Sequence, residues 1–164
     1  MKRKTALYGL LVALAFVFSL LESLVPLPIG IPGVKLGLAN GVVLVAMCLL
    51  GNRPALAVSC LRILLAGLTF GSPTSMLYSF AGGLVSFGVM ALCRRSGRFS
   101  ITGVSMAGGV SHNLAQLAVA ALVLQTPRIV WYLPVLLVAG TVTGGLLGFL
   151  ATLLLPRLEK LKQK

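Results

Sequence analysis

Apolar residues along the chain gather into six runs near the length that crosses a bilayer core, at roughly 5–25, 36–52, 54–71, 75–93, 101–125 and 129–155. The breaks between them are chemically distinct. Pro26, Pro28, Gly30, Pro32 and Gly33 form the first, and Gly51, Asn52 and Pro54 the second. Gly71, Ser72 and Pro73 form the third, the RRSGR stretch from Arg94 to Arg98 the fourth, and Thr126 with Pro127 the fifth. The pattern predicts an all-α integral membrane protein of six transmembrane helices, one domain over residues 1–164. Residues 1–25 could also be read as a cleavable signal peptide. Their apolar run is longer than the roughly 7–15 residues of a signal h-region, so a retained first span is expected.

Composition strengthens this picture: 58% of the 164 residues are hydrophobic and 10% are charged, against roughly 25% charged in a soluble domain. Charge is also one-sided, with fourteen Lys or Arg against two acids, Glu22 and Glu159, and no Asp. Magnesium-assisted phosphoryl or prenyl transfer and paired-carboxylate hydrolysis both need clustered carboxylates, which two acids near opposite ends of the chain do not supply. No phosphate-binding GxxxxGK[ST] loop is present, so no nucleotide hydrolysis of its own is expected. Cys48, Cys60 and Cys93 are too scattered for a CxxC pair and read as apolar thiols.

The cations read as topology rather than as a nucleic-acid surface. Alternating sides from span to span places eleven of them, Lys2, Arg3, Lys4, Arg53, Arg94, Arg95, Arg98, Arg157, Lys160, Lys162 and Lys164, on one face. Lys35 and Arg128 fall on the other, and Arg62 inside a span. The positive-inside rule then puts both termini in the cytoplasm of a multi-pass protein of the cell membrane, with Trp131 and Tyr132 in the outer aromatic belt.

Helices in lipid associate through small residues that let backbones approach. Span six carries Gly140, Gly144 and Gly148, span five Gly103, Ala107, Ser111 and Ala115, span four Gly82 and Ser86, span three Gly67 and Gly71, and span one Gly9 and Ala13. Most of these rows are expected to pack within the bundle.

Polar groups inside spans are costly, about 2.5–3.5 kcal/mol for an ionised one at mid-helix, and each needs a reason. Arg62 lies half way through span three; His112, Asn113 and Gln116 lie half way through span five, with His112 and Gln116 on one face at i, i+4. Glu22 is a turn from the outer end of span one, and Lys35 and Asn40 stand at the outer start of span two. One account is a structural network in which Glu22 pairs with Arg62 or Lys35. The other is a polar cavity open to the outside, binding an anionic or strongly polar solute beneath a lid formed by Pro26 to Gly33. With one His and no Asp, no metal centre and no cofactor are expected.

Three stretches around these residues, PGVKLGLAN (Pro32–Asn40), RILLAGLTFGSP (Arg62–Pro73) and GGVSHNLAQL (Gly108–Leu117), resemble the Gx transporter family, also catalogued as heptaprenyl diphosphate synthase component I. That family is in turn similar to the substrate-binding S components of energy-coupling factor transporters. The resemblance implies a six-helix bundle with cytoplasmic termini and an outward-facing site, docked on a transmembrane T component with two ATPases. It also implies that small residues on the first helix face that partner; Gly9 and Ala13 stand where an AxxxA pattern is usual, with Gly as a departure. The expectation is a non-enzymatic subunit for uptake of a small solute, with Arg62, His112, Asn113 and Gln116 in its site and Lys35, Asn40 and Glu22 at the entrance. The alternative is a non-catalytic accessory protein of isoprenoid or quinone metabolism, or of quinone-linked electron transfer.

Overall fold

The computed structural model describes residues 2–24 and 35–163, and these are all-helical. Helix α1 covers Lys2–Leu24, α2 Leu38–Leu50, α3 Asn52–Thr69, α4 Pro73–Ser96 and α5 Ile101–Leu124. A 3-10 turn over Pro127–Tyr132 leads into α6, Leu133–Gln163. The loop expected to act as a lid, Pro26 to Gly33, lies outside the described residues.

The predicted breaks are where local chemistry ends one helix and starts the next. Ser72 caps α4 by accepting from the Ser75 amide at 3.1 Å, with Pro73 in the first turn, where its missing N–H costs nothing. Ser100 does the same for α5 through the Gly103 amide, also at 3.1 Å. Gly97, at φ +66°, supplies the left-handed residue that closes α4. The sixth run differs from its expected bounds at both ends. Pro134 stands in the first turn of α6, where its missing N–H costs nothing, and the chain ahead of it through Trp131 and Tyr132 takes the tighter 3-10 form until α6 begins at Leu133. At the far end α6 continues through Pro156 to Gln163. Hydropathy marks where a span would leave lipid, and the helix does not stop there.

Four helices are long and apolar enough to cross a bilayer: Thr5–Leu24, Pro73–Ser96, Ile101–Leu124 and Arg128–Lys160. They mark the chain as a membrane protein. The other two runs form shorter or more polar helices. At 13 residues α2 is about 20 Å long, and α3 carries Asn52, Arg53 and Arg62 in 18 residues.

Helix α2 occupies the centre. It packs against α1, α3, α4, α5 and α6 and buries ten of its thirteen residues, which is why its sequence is apolar all round apart from Asn40. Arg94 of α4 donates to the Met47 carbonyl, and the Gly51 amide bonds the same oxygen at 3.2 Å, satisfying the end of α2. The surrounding helices each bury one stripe. On α3 it runs through Ala55, Ser59, Arg62 and Ala66, and on α6 through Leu136, Gly140, Gly144, Gly148 and Leu155. Their opposite faces are apolar and exposed, as at Leu68 (79%), Leu122 (77%) and Trp131 (84%). Such continuous apolar surface suits contact with lipid.

The glycine row of span six packs inside the bundle, as expected. A methyl group on Gly144 would stand 2.7 Å from the Met106 Cα and the Ser105 carbonyl, and one on Gly148 2.7 Å from the Thr102 Cα. Gly109 of α5 and Gly140 of α6 meet backbone to backbone. The α5–α6 seam is thus closed by main chain, the close approach that small residues permit. Gly9 is the contrast: a methyl group there meets nothing within 4 Å, and both Gly9 and Ala13 lie on the exposed face of α1.

A polar cluster between the helices

Six of the seven polar residues singled out from sequence converge where the end of α1, the start of α2 and the middles of α3 and α5 meet; the seventh, Asn113, faces α6. Arg62 is 2% exposed. Its Nη1 donates to Ser19 Oγ of α1 at 3.3 Å and its Nη2 to Asn40 Oδ1 of α2 at 3.1 Å, so one guanidinium ties three helices together. Glu22, 7% exposed, does not form the hydrogen-bonded pair with Arg62 or Lys35 that a purely ionic network requires. Its Oε1 accepts from the Leu38 amide at 2.8 Å. That amide is one of the orphan donors at the start of α2, so the carboxylate caps the helix from a neighbour and sits at the positive end of its dipole. Both cations still attract it through space.

Gln116 Oε1 accepts from the Lys35 amide at 3.0 Å. The short segment Lys35 to Leu38 is thereby held at both ends, to α5 by Gln116 and to α1 by Glu22. Gly37 lies between them at φ +84°, a left-handed conformation that glycine takes without strain. A methyl group there would stand 2.9 Å from Asn40 Nδ2 and 3.0 Å from His112 Cδ2. On its other side His112 lies against Gly82 of α4, where a methyl group would be 2.7 Å from its Nδ1. The imidazole is therefore clamped between two glycines. Asn113, fully buried, turns the other way, donating to the Leu136 carbonyl of α6 at 2.8 Å.

These bonds leave much of the cluster unsatisfied. Among the described residues, no hydrogen bond of good geometry reaches the buried Glu22 Oε2, Asn40 Nδ2, Arg62 Nε, Asn113 Oδ1, Gln116 Nε2, Ser86 Oγ or either nitrogen of His112, although the Gly82 backbone lies close to the imidazole. Native interiors leave few such groups, and each costs about 1–3 kcal/mol if nothing pairs with it. The free atoms include both donors and acceptors, all but one of them on residues of the predicted site.

Sequence reasoning missed Ser19, Ser86 and Phe70. Ser19 is three residues before Glu22 and so on the same face of α1, a signal that could have found it. Ser86 appeared only as a small packing residue. Phe70, at the end of α3, carries the Lys35 ammonium 5.7 Å from its ring centroid and lies 5.4 Å from Phe16.

Lys35 stands in the linker ahead of α2, half-buried at the edge of the cluster. Burial lowers its pKa from the ordinary 10.5; Glu22 pulls it back up and Arg62 adds to the depression. Between the depressed value and 10.5 the unfolded chain binds more protons than the folded one, so stability rises with pH across that window. Below the window the cost of burying the charge is fully expressed. Thermal unfolding in detergent is expected to move upward as pH climbs toward 10.5, and Lys35→Met to flatten that rise. A rise that survives the substitution would belong to another group.

Comparison with known proteins gives one result. The family model described as heptaprenyl diphosphate synthase component I matches residues 11–154, which take in the whole cluster. No curated protein and no solved structure matches the chain.

Proposed function

The chain belongs to the heptaprenyl diphosphate synthase component I family, and from that premise we propose that it is a solute-binding membrane subunit rather than a catalyst. In this reading the chain crosses the membrane six times with both termini in the cytoplasm. The polar cluster binds a small anionic or strongly polar solute from the outer side, and partner subunits supply the energy for its uptake. The observation that carries the reading is the set of buried donors and acceptors on Glu22, Asn40, Arg62, His112, Asn113 and Gln116 that no described residue pairs. A structure built for packing alone would pair these atoms or replace them with apolar groups. Arg62 and Lys35 beside a single carboxylate favour an anionic or amphoteric guest.

Native mass spectrometry of the detergent-purified protein tests this directly. A small polar molecule retained at one per chain is the expected result. An isoprenoid, or no bound mass at all, would overturn it.

The family description names a component of a synthase, and this favours a second reading, a non-catalytic partner that presents an isoprenoid diphosphate to a separate enzyme. The absence of Asp argues against the chain holding magnesium for prenyl transfer itself. A retained isoprenoid in the same experiment would decide for this reading.

The transport reading also requires a docking face for a T component, and we place it at Gly9 and Ala13. Both are exposed on α1, and among the described residues none fills the space beside Gly9. Ala13→Trp is expected to abolish co-purification with a T component while leaving the fold intact. An undiminished complex would remove α1 from the interface.

A further inference from the structure

A second feature lies on a different side of α2. Helices α1, α2 and α6 enclose a groove of about 160 Å³, walled by aliphatic side chains such as Leu10 and Leu14 of α1, Val45 of α2, and Leu150, Leu154 and Leu158 of α6. We propose that this groove holds one hydrocarbon chain of an anionic phospholipid, with the lipid phosphate beside Arg157 and Lys160.

Its lining selects the occupant. Every residue that walls it, from Leu7 and Phe18 of α1 to Leu158 of α6, is apolar, which suits a hydrocarbon chain and offers a polar guest no partner. Its chemistry selects the headgroup. The groove ends at Leu158, and Arg157 and Lys160 on either side of that residue are exposed. The acid between them is Glu159. A zwitterionic headgroup gains little from such a surplus of cations, and an anionic one gains from each. The site is independent of the polar cluster: none of Glu22, Asn40, Arg62, His112 or Gln116 lines the groove.

The test is native mass spectrometry of delipidated protein titrated with phosphatidylglycerol or with phosphatidylcholine of the same acyl chains. One phosphatidylglycerol per chain is expected to be retained in preference to phosphatidylcholine. Each cation at an anionic surface contributes about fivefold, so Arg157→Gln with Lys160→Gln should lower phosphatidylglycerol retention roughly 25-fold. Leu14→Trp and Leu154→Trp fill the groove from exposed positions and should each remove retention, while Leu68→Trp, at an exposed position of α3 outside the groove, leaves it intact. Equal retention of the two lipids would overturn the assignment, as would binding that survives both tryptophan variants. Displacement of phosphatidylglycerol by an equimolar prenyl diphosphate would also overturn it, by giving the groove to an isoprenoid.

Discussion

Replacing Arg62 with alanine is expected to strip the retained solute from the purified protein, lowering its occupancy at least tenfold, while folded protein is still recovered. The guanidinium is the fully buried cation of the cluster, and it fixes α3 to Ser19 and Asn40. Its loss leaves those two acceptors unpaired at about 1–3 kcal/mol each, and it leaves Glu22 without its nearest compensating charge. Stability and binding must therefore be separated. Arg62→Met combined with Glu22→Gln removes both charges and keeps the Gln oxygen available to the Leu38 amide, so it should recover much of the unfolding midpoint. It should not recover the solute. Retention of the solute by the double variant would show that Arg62 serves the fold alone, and the binding proposal would fall with it.

The second large effect concerns the seam between α5 and α6. Gly144→Leu should destroy most of the monodisperse protein seen by size-exclusion chromatography. A side chain there enters the Met106 backbone and the Ser105 carbonyl at 2.7 Å, and neither is a flexible tip that can move aside. Overpacking usually costs about 1–3 kcal/mol, and a backbone obstacle on a spanning helix belongs at the upper end or beyond. Gly145→Leu is the internal control. The nearest atoms to a methyl group at that position are Cγ and Sδ of the Met106 side chain, 3.9 and 4.0 Å away, and the variant should elute like the parent. Equal behaviour of the two would mean that the seam contributes little to the fold.

Much of the helical layout could be read from sequence because prolines, glycines and serines mark the helix ends chemically. The break at Gly71, Ser72 and Pro73 became a capped α4, and α5 ends at Leu124, one residue short of its predicted run. The central position of α2 was less visible. Its short apolar run reads the same whether its neighbours are lipid or other helices, and only the packing of five elements around it separates the two. The cluster was legible in membership, since polar residues within apolar runs stand out at once. Its wiring was not. Glu22 met a backbone amide rather than a cation, and main-chain donors carry no sequence signal. Ser19 and Ser86 were hidden because in a membrane helix serine serves equally as a small spacer and as a hydrogen-bonding group.

The glycine seam also bears on what it costs the molecule to assemble. Ordering a side chain on folding costs up to about 2 kcal/mol of conformational entropy, and glycine has none to lose. The contacts through Gly109, Gly140, Gly144 and Gly148 thus form without freezing rotamers. Only Gln125, Thr126 and the 3-10 turn separate the two helices, so the loop to be closed is short. The α5–α6 hairpin thus asks little of its side chains to come together, and α2 packs against both of its helices.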